Sequence, residues 1–493
     1  MSDLVSKYQI LTVNELKLIK DQLVAHNIPL FRLDKENKII SFPTEQLSLI
    51  IDNDKYSNLK IYIPKNFSMF IDEFKSINQT NNYNNNNNNN YNNNAKDKKN
   101  STYVFKTPKE LEKEMAKRIS EISKMTYKEK VNAIKSYNKE LKKIHIDKDT
   151  GINKEAAQQI VDAANDVGLI AKVTMFKSIQ KIKEEEITQE QSKIENQEMT
   201  ETTTNLVTTI VEMVSANTET QKVFDELRNY SDGGVMSHSN RVFISYANFI
   251  VFYNNLINRR NLVHKIRASY KNKYKKFYEQ VEAVFNKENV HNRLDVVEDC
   301  IDKGIRIIEE REMNLYSVGA LLHDIGKVKD LDYFEGEGGR DYKRIKKHLF
   351  NSYTLVSQTS EYPLEVILTV ALHHEYYGFG YGPYDHLYKL KLEKHPNFQI
   401  QRIMTYDAKA VDECDAFAYF PAKMLEIIDV YDALIDPARK YRGGKTFTPE
   451  EALNIMREDF IEKHVKLDPI LYDVFVEFLS NSIEQDLMSC KLI

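Results

Sequence analysis

The sequence predicts a mainly α-helical protein with a small α+β module at its N-terminus. Two observations indicate the helices. Apolar residues recur at helical spacing around several histidines and aspartates, and no glycine or proline occurs from Ala171 to Glu226. A third observation indicates the module, because residues 8–75 combine one helical stretch (VNELKLIKDQLVAHN) with short β-like runs (IPLFRL, KIISF and LKIYIP).

Composition divides the 493 residues into four parts. Residues 1–77 form the α+β module, whose role we expect to be docking or regulation. Residues 78–100 form a disordered linker, because their first part is almost entirely asparagine and cannot bury apolar surface. Residues 101–204 are charged and helix-rich, so we expect helical linkers through which a homodimer would form. Residues 205–493 carry the motifs described next.

Overall composition excludes several classes of protein. A net charge of −4 argues against binding of a nucleic-acid polymer, and three scattered cysteines argue against a disulfide framework or a thiolate metal site. The N-terminus resembles no signal peptide, and no run of 18 apolar residues predicts a membrane span. We therefore expect a cytoplasmic protein.

The string LLHDIGK at residues 321–327 is the most informative motif. It places His323 and Asp324 side by side after an apolar run, with Lys327 three residues beyond the aspartate. Burial of a carboxylate is costly unless a cation or several donors meet it. Adjacent helical residues point about 100° apart, so both can hold one ion only if other segments supply further ligands.

Other segments supply such ligands. His348 lies on a predicted amphipathic helix, and His373 and His374 close the predicted helix PLEVILTVALHHE. Asp429 lies on the helix MLEIIDVYDALI, with Asp432 on much the same side. Each residue alone could be an ordinary core or surface group, but together they are better explained by one metal site. Histidines and carboxylates without cysteine suit Fe, Mn, Zn or Co, and two such ions are the standard arrangement for phosphoester hydrolysis.

These motifs resemble the HD superfamily of metal phosphohydrolases, and more narrowly its HD-GYP branch, whose members hydrolyse the bacterial second messenger cyclic di-GMP. The resemblance covers roughly residues 205–485. The matching strings are HSNRV (238–242), HDIGK (323–327), the single His348, HHE (373–375), GFGYG (378–382), DVYDAL (429–434), KYR (440–442) and TPEEAL (448–453).

The resemblance implies an all-helical domain and a role for each matching residue. One ion would bind to His238, His323, Asp324 and Asp429, and a second to Asp324, His348, His373 and His374. Asp324 would bridge the two, Lys327 would contact the scissile phosphate or assist the leaving oxygen, and Tyr381 and Arg442 would bind substrate. We expect two divalent ions, Fe or Mn, and hydrolysis of cyclic di-GMP to pGpG and then GMP.

The chain departs from the family pattern in the glycine-rich loop. Two residues instead of three separate Glu375 from Gly378, and Gly382 replaces the usual proline. Gly234 stands where some members have a glutamate that holds a third metal, which favours two. The following segment, from Pro383 to Phe420, is longer than usual and is expected to be a surface excursion.

The first histidine ligand has two candidates. His238 carries the motif but lies 85 residues before His323, whereas His291, 32 residues before it, is nearer the family's usual spacing. We favour His238 because HSNRV opens an amphipathic run, which makes residues 258–286 an inserted basic helical hairpin. This hairpin is either a solvated surface or an electrostatic funnel for an anionic substrate.

Overall fold

A computed structural model of the chain divides it into two compact units, Met1–Thr102 and Tyr103–Ile493. The structure describes residues 8–12, 15–16, 30–33, 39–42, 60–64, 108–144, 152–216, 224, 238–260, 262–285, 305–327, 342–378, 384–396, 400, 402–436 and 447–489. The asparagine-rich residues 78–100 lie outside these ranges, and so does most of the helix predicted in the N-terminal module.

The N-terminal unit contains a four-stranded antiparallel sheet of order β1-β4-β2-β3. Its strands are β1 (Tyr8–Leu11), β2 (Leu30–Leu33), β3 (Ile39–Phe42) and β4 (Ile61–Pro64). The last three match the β-like runs of the sequence, whereas β1 was not predicted. Leu11, Leu30, Ile61 and Ile63 are buried and give this sheet its apolar face.

The larger unit is almost entirely helical, which confirms the predicted mainly α fold. Its first helices are α1 (Pro108–Lys124), α2 (Tyr127–Leu141), α3 (Lys154–Lys183), α4 (Gln189–Ser215), α5 (His238–Arg260), α6 (Leu262–Lys273) and α7 (Lys275–Phe285). These are followed by α8 (Glu310–Leu322), α9 (Tyr342–Thr359), α10 (Leu364–Ala371), α11 (Tyr384–Lys394), β5 (Arg402–Thr405), α12 (Ala408–Asp412), β6 (Ala416–Tyr419), α13 (Phe420–Ile435), α14 (Pro449–Ile455), a π-helical turn (Met456–Glu462) and α15 (Pro469–Ser489).

Helices α3 and α4 pack against the helices that carry the histidine motifs. α4 contacts α8 and α9, and α3 contacts α9. The boundary predicted between residues 204 and 205 falls inside α4. The chain turns between α3 and α4 although the segment lacks glycine and proline. Glu185 adopts a φ of 59° there, and Thr188 and Gln191 form a capping box that starts α4.

The core around the motifs is built by α5, α8, α10 and α13. α8 packs against both α5 and α10, and α5 also contacts α13. Gly319 permits the close approach of α8 to α10, because a Cβ atom there would lie 2.6 Å from the Cβ of Thr369. The described ends of these helices converge at the motif residues.

The segment between Pro383 and Phe420 is not the surface excursion that was expected. β5 and β6 pair in parallel, with Arg402 opposite Ala416 and Thr405 opposite Tyr419. All four residues of β6 are buried, as are Ile403 and Met404. The apolar string AFAY belongs to the core because it leads directly into α13. No helix in the described ranges is long and apolar enough to cross a membrane.

Candidate metal centre

Five elements of the helical unit each deliver polar side chains to one buried point. His238 is the first residue of α5, His323 caps the C-terminus of α8 and Asp324 follows it, His348 lies within α9, His373 and His374 follow α10, and Asp429 lies within α13. The paired histidines were expected to close their helix. The helix instead ends at Ala371, and both lie in the turn beyond Leu372.

The six nitrogen and oxygen ligands form two clusters that meet at Asp324. In the first cluster, ligand atoms of His238, His323 and Asp324 all lie within 4.8 Å of one another. The Oδ1 atom of Asp429 lies 2.8 Å from His238 Nε2 and 3.7 Å from His323 Nε2. These four residues are the set that the resemblance implies for one ion.

The second cluster contains His348, His373 and His374, whose ligand atoms also lie within 4.8 Å of one another. The Nε2 atoms of His348 and His373 are 3.3 Å apart. Asp324 Oδ1 lies 3.4 Å from His348 Nε2 and 3.9 Å from His373 Nε2, whereas Asp324 Oδ2 lies 3.5 Å from His323 Nε2 in the first cluster. Each oxygen of Asp324 therefore faces a different cluster.

Hydrogen bonds fix which nitrogen of two histidines points into the centre. His323 Nδ1 lies 2.8 Å from the carbonyl oxygen of Ala320, and His373 Nδ1 lies 2.7 Å from that of Val370. A carbonyl can only accept a hydrogen bond, so Nδ1 carries the proton in both rings. Each Nε2 is left with a lone pair directed at the cluster, which is the form that binds metals.

Two buried atoms of the centre lack a hydrogen bond, and this tests whether the site fits a metal. His323 Nε2 and Asp324 Oδ1 are both inaccessible to solvent and have no hydrogen-bond partner among the described residues. An unsatisfied buried polar atom costs about 1–3 kcal/mol. A cation between the histidine nitrogens and the aspartate oxygens would satisfy both atoms, so the donor set fits divalent metal ions.

The electrostatic environment keeps these residues in their metal-binding forms. Burial lowers the pKa of His374 to about 3, and burial together with the neighbouring histidines lowers the pKa of His373 well below its usual value. Burial alone would raise the pKa of Asp324 and Asp429, but Lys327 and the histidines hold both well below the usual range. The centre thus presents neutral imidazoles and ionised carboxylates near pH 7.

A buried ionic network orients His238 from behind. Asp432 Oδ2 accepts a hydrogen bond from His238 Nδ1 at 2.7 Å, and Arg241 holds the same carboxylate through Nε and Nη2 at 3.0 and 2.9 Å. Arg241 also forms an ion pair with Asp436 at 3.0 Å. The sequence placed Asp432 near Asp429 but gave it no role, because its partner Arg241 is distant in sequence.

A second buried network supports the turn that carries the paired histidines. Lys423 is 2% exposed and donates hydrogen bonds to Glu426 Oε2 at 2.9 Å and to the carbonyl of Glu375 at 3.3 Å. Its ammonium also lies 3.9 Å from the ring centroid of Tyr377, a residue with a φ of 46°. Nothing in the local sequence identifies this lysine as buried, since it lies beside the acidic residues of an apparently amphipathic helix.

Gly326 of the HDIGK string is required by the approach of α9. A Cβ atom at Gly326 would lie 2.1 Å from the carbonyl oxygen of His348 and 2.6 Å from the amide nitrogen of Ser352. Its own amide donates to Ser352 Oγ at 2.8 Å, and that hydroxyl donates to the His323 carbonyl at 3.1 Å. The glycine thus joins the HDIGK turn directly to the helix that carries His348.

Lys327 forms an ion pair with Asp324 and is 42% exposed, so it lies at the mouth of the centre. Four sequence candidates lie outside the described residues: the substrate-binding candidates Tyr381 and Arg442, the alternative ligand His291, and Gly234 of the third-metal position. Their roles stay predictions. The inserted hairpin of residues 258–286 corresponds to the end of α5 followed by α6 and α7.

Comparison with known proteins identifies part of this unit. A family model described as the HD domain matches residues 292–418, a range that contains five of the seven ligand candidates and excludes His238 and Asp429. The match supports the HD superfamily and, with it, a metal-dependent hydrolase in general. No curated protein and no solved structure matches the chain.

Proposed function

We propose that this protein is a phosphodiesterase that uses two divalent metal ions, Fe or Mn, to hydrolyse cyclic di-GMP to pGpG and then to GMP. The observation that carries the proposal is the orientation of Asp324. Its two oxygens face different histidine clusters, at 3.5 Å from His323 Nε2 and 3.4 Å from His348 Nε2. A carboxylate in this position is suited to bridge two ions.

The residues of the chain would divide the work as follows. His238, His323 and Asp429 hold one ion with Asp324, and His348, His373 and His374 hold the other. Two such ions, when bound, supply a water activated for attack on phosphorus and neutralise charge on the phosphoryl oxygens. Lys327 then releases part of its interaction with Asp324 and steadies the scissile phosphate, because the carboxylate charge is shared with the metals.

The substrate is inferred from the resemblance to the HD-GYP branch. The string GFGYG carries Tyr381 just beyond the paired histidines, where glycines allow the backbone to approach a ligand and a tyrosine can stack on guanine. Arg442 would contact a phosphate. The altered spacing of this loop favours one alternative, an HD-type phosphohydrolase that acts on another cyclic dinucleotide or nucleotide. A silent receptor that binds cyclic di-GMP without turnover is the rival outside enzymes.

The test combines metal analysis with turnover of two substrates. Protein purified without chelator should contain two transition-metal ions per chain and hydrolyse both cyclic di-GMP and the small ester bis-p-nitrophenyl phosphate. Hydrolysis of the ester alone would favour the alternative nucleotide substrate. Binding of cyclic di-GMP without turnover of either compound would favour the receptor.

Tyr381→Ala tests the substrate assignment separately from the metal chemistry. The small ester depends mainly on the metal centre, whereas the dinucleotide uses binding energy remote from the scissile bond. The variant should therefore lose far more activity on cyclic di-GMP than on the ester. Equal losses on both substrates would indicate that Tyr381 only packs the loop.

A further inference from the structure

Helix α3, which lies outside both the HD match and the resemblance, presents one face to the first histidine ligand. Asn165 forms a hydrogen bond with Asn240, and a Cβ atom at Gly168 would contact both Leu321 and Asn240. Lys172 Nζ lies 3.3 Å from the hydroxyl of Ser239, the neighbour of His238. The spacing of three and then four residues places all three α3 residues on one side of the helix.

This geometry brings a second lysine to the metal centre. The charge of Asp324 attracts the Lys172 ammonium and that of Lys327 repels it. Burial lowers the pKa of Lys172 to about 8, so the ammonium stays mostly protonated near pH 7. Among the described residues, Ser239 is the hydrogen-bond partner of Lys172, and no carboxylate forms an ion pair with it. Two of its three N–H donors are therefore available to a ligand.

The two lysines and Asp324 leave a charge imbalance once metals are bound. In the described residues Lys327 pairs with Asp324, but that carboxylate is the one that faces both histidine clusters. Ions in the clusters would take its charge, and two partly desolvated ammonium groups would then lack an anion. Repulsion between neighbouring like charges makes this arrangement unfavourable unless a further anion is present.

We propose that Lys172 and Lys327 together form a phosphate-binding subsite at the mouth of the centre, with Lys172 supplied by a helix outside the HD domain. The subsite takes the phosphoryl group under attack, because Lys327 and Ser239 both adjoin ligand residues. This inference rests on the proposed function and adds to it a specificity-determining residue. It predicts that any phosphodiester substrate uses Lys172, whatever its nucleoside.

The test compares two neutral variants, Lys172→Met and Lys172→Gln, with the metal-loaded wild type. A charged hydrogen bond lost from substrate should raise KM for bis-p-nitrophenyl phosphate about tenfold, with a much smaller change in kcat. The inhibition constant of inorganic phosphate should rise by a similar factor, while metal content is unchanged. Lys172→Arg should restore most of the affinity. Two variants are used so that a folding defect in one leaves the other to decide.

Lys181→Gln on the same helix is the matched control, because Lys181 is exposed and pairs with Glu195 at 3.7 Å away from the centre. It should leave KM and the inhibition constant unchanged. Values within twofold of wild type in both Lys172 variants would overturn the subsite, as would loss of metal from them. A wild type that hydrolyses no ester would refute the proposed function. Calorimetry with inorganic phosphate would then decide the subsite: a tenfold weaker affinity in the variants supports it, and equal or undetectable wild-type affinity overturns it.

Discussion

The substitution Gly326→Ala adds one methyl group where the HDIGK turn touches α9. The new Cβ atom would lie 2.1 Å from the carbonyl oxygen of His348, whereas ordinary contact begins at 3.4 Å. The obstacle is helix backbone rather than a flexible side chain, so α9 must move by about 1.3 Å. Overpacking of this kind costs about 1–3 kcal/mol of unfolding free energy.

The same movement would displace His348, whose Nε2 lies 3.4 Å from Asp324 Oδ1 and 3.3 Å from His373 Nε2. Gly326→Ala should therefore lose the metal of the second cluster and retain that of the first. Elemental analysis and denaturant titration measure the two effects independently.

Gly168→Ala is the matched control for this experiment. Its Cβ atom would lie 3.4 Å from the side-chain Cδ1 of Leu321, an ordinary contact, and alanine favours a helix interior by up to about 1 kcal/mol over glycine. This variant should keep both metals and wild-type stability or better. A Gly326→Ala protein with two metals and unchanged unfolding free energy would refute the reasoning.

Further predictions concern the ligands and their support. Asp324→Ala should abolish turnover and lower the content of both metals, as measured by elemental analysis; wild-type turnover would exclude the bridging role. His238→Ala should deplete one metal whereas His291→Ala should deplete none, and the reverse result would move the first ligand to His291. Asp432→Asn should weaken metal affinity of the first cluster about 10–100-fold in a metal titration, because His238 loses its carboxylate partner while its own Nε2 is retained; unchanged affinity would make Asp432 dispensable. The unfolding free energy of the metal-free protein should fall as pH drops from about 6.5 towards 3, because the unfolded chain protonates His374 in that range and the folded chain, with its pKa near 3, does not. Denaturant titrations across this range should give a shallower slope for His374→Asn, and an equal slope would show that other groups govern the acid response.

The sequence by itself determined the helical class and most of the chemistry of the centre. Helical periodicity is local, so it located α9, α10 and α13, and the residue types at their apolar edges named the ligands. The order of the motifs was sufficient to group His323, His348 and His373 before their distances were known. Three of the four N-terminal strands were also identifiable, because alternation of β-branched residues is a local signal.

Only the tertiary structure decided which groups stand behind and beside the ligands. Arg241 and Asp432 are almost 200 residues apart in the chain, yet they form one buried pair at 2.9 Å. Lys172 lies on a helix that composition assigned to a linker region, and its approach to Ser239 depends on how α3 packs on α5. The need for glycine at position 326 likewise arises from the backbone of α9. Such contacts are fixed by packing between distant segments, and local residue patterns carry no information about that packing.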